Sequence, residues 1–191
     1  MEELTKKIAE VIEELHQQFG WFNEEELTET PRRINRFYTD WADVSTKDFK
    51  FTTFPVKGKA ALITIKNMEF ASICAHHLLP FTGKVSVAYL PYDDGVYAGL
   101  SKFARAVDKV SHKPQTQEIM TEELTEYLWR NLNKPKFLLV MVYDAVHTCT
   151  TIRGPEQNHP EMGTDGMRWS GITESIVKSL REEAMNILLK P

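Results

Sequence analysis

Phe137-Leu138-Leu139-Val140-Met141-Val142-Tyr143-Asp144-Ala145-Val146 is a nearly continuous apolar run rich in β-branched residues. Such a run predicts a buried central strand, around which a sheet must be built. It leads directly into His147-Thr148-Cys149 and then Arg153-Gly154.

Outward from this strand, residues 117–132 carry Leu124, Leu128 and Leu132 at helical spacing, the buried stripe of one helix. Before it, Gly99-Leu100-Ser101 opens another, with Ser101 as the expected N-cap and Pro114 at its end. Lys102, Arg105 and Lys109 share a face of that helix. Cations in a first turn oppose the helix dipole, a conflict that a bound phosphate would remove. Lys84 to Tyr89 alternates strictly, and the turn residues Pro91 to Gly95 predict a hairpin onto Val96-Tyr97-Ala98. Ala61 to Lys66 alternates loosely and runs through Met68-Glu69-Phe70 toward Cys74.

Farther out lie helices. Leu4, Ile8, Ile12, Leu15 and Phe19 form one amphipathic stripe that Gly20 stops. A second helix is expected from Thr30-Pro31, a cap residue followed by proline, with Arg33 and Arg36 on one face. A solvated basic face would account for those arginines equally well. Residues 155–171 have no clear period and read as loop, with a short strand at Met167 to Trp169. Ile176, Leu180, Ala184 and Ile187 mark a closing helix. Segregated strands and helices predict an α+β fold, an antiparallel sheet of about four strands with two helices on one face. Residues 1–50 read as an N-terminal helical extension and 51–191 as the main domain. Open sheet edges in such a domain are commonly closed by oligomerisation.

The 191 residues are 42% hydrophobic and 26% charged, which is ordinary for a globular chain with a real core. The net charge of −4 argues against general nucleic-acid binding and leaves room for a local basic pocket. The acidic N-terminus is not a signal peptide, and no apolar run approaches membrane-spanning length. A cytoplasmic protein is expected, in keeping with thiols that stay reduced.

Both cysteines fall in two short segments. Ser72-Ile73-Cys74-Ala75-His76-His77-Leu78-Leu79-Pro80-Phe81 holds a Cys-x-x-His half-site of the kind zinc uses, and Cys149 can add a third soft ligand. Three protein ligands leave a fourth position open, as in catalytic zinc sites. Two cysteines can also be no more than small buried hydrophobes, and the spacing leaves both readings standing.

Five motifs, in order, resemble the GTP cyclohydrolase I family. They are Leu27-x-x-Thr30-Pro31-x-Arg33; Cys74-x-His76-His77-Leu78-Leu79-Pro80-Phe81; Gly99-Leu100-Ser101-Lys102-x-x-Arg105-x-Val107; Pro114-Gln115-x-Gln117-Glu118; and His147-x-Cys149 with Arg153-Gly154. The resemblance implies a tunnelling fold for residues 51–191, the catalytic domain, and a homo-oligomer, a decamer of two pentamers with sites between subunits. It implies Zn²⁺ on Cys74, His77 and Cys149, with a water activated at the open position to attack C8 of GTP. His76 and His147 would transfer protons. Glu118 would accept from the guanine N1–H and 2-amino group, with Gln117 assisting at the base edge and Ser101 at the ribose or phosphate. Lys102, Arg105 and Arg153, with Arg33 and Arg36 from a neighbouring subunit, would neutralise the triphosphate. The products would be 7,8-dihydroneopterin triphosphate and formate.

Two departures stand out. Ala75 replaces the glutamate of the family's usual Cys-Glu-His-His, and residues 155–171 do not resemble its Ser/Thr-rich strand. They keep two other readings in play. One is a cyclohydrolase variant with an altered product or substrate, such as a ring-opened formamide or dGTP. The other is a zinc-stabilised purine-nucleotide binder without turnover.

Overall fold

The computed structural model describes residues 2–152 and 161–190. The chain divides into two compact units, Met1–Thr46 and Lys47–Pro191. The first is a pair of helices, α1 (Glu2–Phe19) and α2 (Glu24–Thr46). Ile12 of α1 is buried, and the Asn35 amide of α2 donates to the Thr5 hydroxyl at 2.6 Å. Gly20 ends α1 with φ +68°, a conformation glycine adopts without the steric cost of a Cβ.

The second helix starts earlier than Thr30-Pro31. Asn23 and Glu26 form a reciprocal cap: the Glu26 N–H donates to Asn23 Oδ1 at 2.9 Å and the Asn23 N–H to Glu26 Oε2 at 3.0 Å. That pair satisfies two donors of the first turn and overrides the proline signal. Pro31 therefore lies inside the helix.

The second unit holds β1 (Thr53–Pro55), β2 (Ile63–Cys74), β3 (Pro80–Leu90), β4 (Val96–Ala98), α3 (Leu100–Ser111), β5 (Pro114–Gln115), α4 (Gln117–Asn131), β6 (Phe137–His147), α5 (Thr148–Thr151), β7 (Met162–Trp169) and α6 (Glu174–Leu188). Five strands form one sheet in the order β5-β2-β3-β6-β7, antiparallel except for the short β2–β5 pair. The fold class is α+β.

Alternation along β6 separates two cores. Leu138, Val140 and Val142 meet Phe103, Ala106, Val107 and Val110 of α3 and Met120, Leu124 and Leu128 of α4. Phe137, Leu139 and Met141 face the other way, against Val177, Ala184 and Leu188 of α6. Both faces of β6 are thus covered, which is why its sequence is apolar throughout. Each fully buried leucine contributes about 1.5–3 kcal/mol from its burial.

Several expectations are corrected here. The sheet has five strands, not about four, because Pro114–Gln115 pairs with β2 after α3 has already ended at Ser111. Val96–Ala98 pairs with β1 instead of closing a hairpin on β3. Both edges of β3 are occupied, by β2 and by β6, so it has no free backbone groups to offer β4. Gly99, not Ser101, is the N-cap of α3, and no side chain caps that helix. The final strand is eight residues long, because β6 offers it a ladder from Phe137 to Val142 that resumes, after an irregularity, at Ala145. α6 lies on the face opposite α3 and α4, and its stripe runs through Val177 while Ile176 is exposed.

Candidate metal and purine site

Four segments meet at one end of the sheet, and the strand register is the cause. Ile73 pairs with Pro80, so residues 75–79 form the tight connection between β2 and β3, closed by the Cys74 N–H donating to the Leu79 carbonyl at 2.8 Å. Leu78 takes φ +53° within it. Phe81 lies opposite His147, which brings the end of β6 and then α5 alongside this loop. Cys74 is opposite Gln115 on β5, and the Ala75 N–H donates to the Gln115 carbonyl at 3.1 Å. The start of α4, with Gln117 and Glu118, follows immediately. Met162 of β7 pairs with Ala145 and completes the wall.

The result is a cavity of about 570 Å³ whose lining includes Cys74, His76, His77, Glu118, His147 and Cys149. One ligand atom each from Cys74, His77 and Cys149 lies within 4.8 Å of the others. Cys74 is buried at the strand end, His77 is exposed on the loop, and Cys149 is half-buried on α5. Both cysteines are free thiols. Two sulfurs and an imidazole converging on one point fit a zinc-type ion, and an open flank toward the cavity fits a catalytic site. His76 stands beside this trio, with its Nδ1 3.7 Å from the Cys74 sulfur.

Two further ionisable groups, Glu118 and His147, are tuned in ways that suit their places. Glu118 sits in the first turn of α4, where its carboxylate is held below the ordinary range by its own backbone N–H, then by the Thr116 hydroxyl, with help from His147 and His76. It is therefore ionised at neutral pH and exposed to the cavity. His147 is pushed below the usual histidine range by burial, against a smaller upward pull from Glu118. Its ring stacks on Phe81 with centroids 4.5 Å apart and planes 4° from parallel. Glu161 also lines the cavity, a residue that lay in a segment without periodicity and offered no signal in the sequence.

Gln117 lines the same cavity. It is 1% exposed, and its amide is engaged with His147, Met162 and Thr164. Ser101, Lys102 and Arg105 lie on α3 and do not line this cavity. Arg33 and Arg36 lie on α2 in the other unit. Arg153 falls outside the described residues. No helix among the described residues is long and apolar enough to cross a membrane.

A family model described as GTP cyclohydrolase I matches residues 1–188. The GTP cyclohydrolase 1 of Sulfurihydrogenibium sp. is 38% identical over 167 residues, covering 87% of this chain and 84% of that protein. That of Streptococcus mutans is 38% identical over 186 residues, or 96% of this chain and 94% of the relative. That of Streptococcus pyogenes serotype M5 is 44% identical over 134 residues, 69% of this chain and 68% of its own. Among solved structures, an archaeosine synthase QueF-Like protein in the apo form aligns with 61% of this chain at 17% identity and TM-score 0.38, too low to carry an argument.

Proposed function

The chain belongs to the GTP cyclohydrolase I family, and from that premise we propose that it converts GTP and water to 7,8-dihydroneopterin triphosphate and formate with a zinc ion held by Cys74, His77 and Cys149. The observation that carries this reading is the convergence of those three ligand atoms beside an ionised carboxylate and two histidines in one cavity. When bound, zinc supplies Lewis acidity and an activated water at a position open to the substrate.

The chain's own residues do the rest. Glu118 accepts hydrogen bonds from the guanine N1–H and 2-amino group. Because it is ionised and acceptor-only, it selects that donor pair and leaves adenine, which lacks it, unpaired. This orients the five-membered ring of the base toward the Cys-His-Cys trio. His147, kept neutral by its surroundings, is suited to take a proton, and His76 on the exposed loop to relay one. Lys102 and Arg105, with Ser101 near the ribose or phosphate, serve the triphosphate from a neighbouring subunit, since their own helix lies away from this cavity. Arg153 joins them, as do Arg33 and Arg36 across a subunit contact. Such sharing needs a homo-oligomer, for which we take the decamer of two pentamers. The two free thiols fit a cytoplasmic setting.

The test is mass-resolved turnover of GTP by metal-quantified protein. Formate together with dihydroneopterin triphosphate is the expected outcome. A ring-opened formamide as the final species, which the absence of a carboxylate at Ala75 makes worth seeking, would replace this reading with a truncated reaction. Tight GTP binding with no turnover would leave only a nucleotide-binding module.

A further inference from the structure

In the cavity wall, Gln117 closes a ring of hydrogen bonds in which every donor can be assigned. Its Nε2 lies 3.2 Å from the Met162 carbonyl and 3.1 Å from Thr164 Oγ1, and its Oε1 lies 3.0 Å from His147 Nε2. The Met162 carbonyl can only accept, so the amide nitrogen must face it and the amide oxygen must face histidine. The Thr121 hydroxyl donates to the Gln117 backbone carbonyl at 2.9 Å. Its single proton is thereby used, so in the 2.6 Å contact between the two threonines Thr164 is the donor. Thr164 Oγ1 is then left to accept from Gln117. No step of this chain can be reversed without placing two acceptors, or two donors, face to face.

His147 must therefore present Nε2–H to Gln117. We propose that Gln117 is a positioning residue: it holds the His147 ring with Nε2–H turned into the protein, leaving Nδ1 as the only ring nitrogen able to exchange a proton with substrate. The Phe81 ring, stacked flat on the imidazole, blocks rotation out of this plane. Gln117 and Thr121 are buried and Thr164 half-buried, so water does not compete freely for these bonds. This inference rests on the activity proposed above and gives Gln117 a role other than contact with the base edge.

Zinc-loaded protein carrying ¹⁵N-labelled histidine, examined by solid-state NMR with His147→Asn to assign the ring, reads the tautomer directly. The expected wild-type signature is a protonated Nε2 and an unprotonated Nδ1. In Gln117→Leu that signature gives way to a mixture or to the opposite tautomer, while Gln117→Glu, which keeps an acceptor oxygen, preserves the proton on Nε2. With GTP, Gln117→Leu lowers kcat by about 100-fold, the scale of a misplaced catalytic group, and changes KM by less than about threefold. Thermal unfolding and metal content of each variant separate this from misfolding. An Nδ1–H wild type, a leucine variant with an unchanged ring signature, or a loss confined to KM would overturn the proposal. If wild-type protein releases no formate from GTP, the activity reading fails, and the tautomer measurement still decides the place of Gln117.

Discussion

The inner wall of the cavity and its rim are built by different means. On the wall, Gln117 and Cys74 are buried, and the polar side-chain atoms of Gln117 are engaged inside the protein, with Thr121 bonded to its backbone carbonyl. On the rim, His76, His77, Glu118 and Glu161 are exposed, on a tight turn, at a helix start or at the foot of an edge strand. The wall is held by burial and by hydrogen bonds within the protein. The rim keeps its charge available to something that arrives. The difference shows how one end of a sheet can be closed on one side and accessible on the other.

The largest break in that contrast comes from the residue that joins the two sides. Cys149→Ser removes a soft ligand, so bound metal per chain and formate release should fall together. Losing several kcal/mol of Lewis-acid stabilisation corresponds to a drop of about 1000-fold or more in rate. Retained activity in a variant shown to lack metal would undo the comparison.

A substitution behind the wall should act on stability first. Gly166 on β7 packs so closely on Thr125 of α4 that a Cβ there would overlap the threonine hydroxyl, and Thr125 is wholly buried. Gly166→Ala should cost about 1–3 kcal/mol in urea unfolding, as overpacking does. An unchanged midpoint would mean that the wall yields more easily than its packing implies.

On the rim the reverse holds. Glu118→Gln should leave the unfolding midpoint within about 0.5 kcal/mol, as surface changes do. It should weaken GTP binding by about 10–100-fold, the worth of a hydrogen bond to a charged group. The pH response follows from the depressed carboxylate. Its contribution is fully present above the unfolded value of 4.5 and is lost as pH falls through the lower folded value. Affinity for GTP should thus persist through mild acid and decline only below pH 4.5. A decline already complete near neutrality would point to another group. Smallest of all should be Lys84→Ala, which deletes a pair with Asp144 that is exposed on both sides. Less than about 1 kcal/mol is expected, and less still in high salt.

Much of this was legible in the chain itself, for particular reasons. The apolar run at Phe137 specifies a strand covered on both faces, the leucines at 124, 128 and 132 specify a helix stripe, and Cys74-x-x-His77 puts a thiol and an imidazole close together in one short segment. These are local patterns, in which period and spacing carry the information. What sequence reading misjudged depended on which partner was available. Val96–Ala98 has the composition of a hairpin arm, yet β3 had no edge left to receive it. Pro31 signals a helix start, yet the Asn23–Glu26 cap lies a full turn and more upstream. Gln117 carries no mark separating a ligand contact from a buried brace.

Residue types, their order and their spacing determined by themselves the family and the α+β character, because motifs and side-chain periodicity are properties of short segments. Only the tertiary structure decided that Cys149 on α5 reaches Cys74 and His77, that Glu161 enters the same cavity, and that Gln117 turns inward to His147. Those outcomes hang on strand register across long stretches of chain, where a one-residue slip would send every side chain to the opposite face.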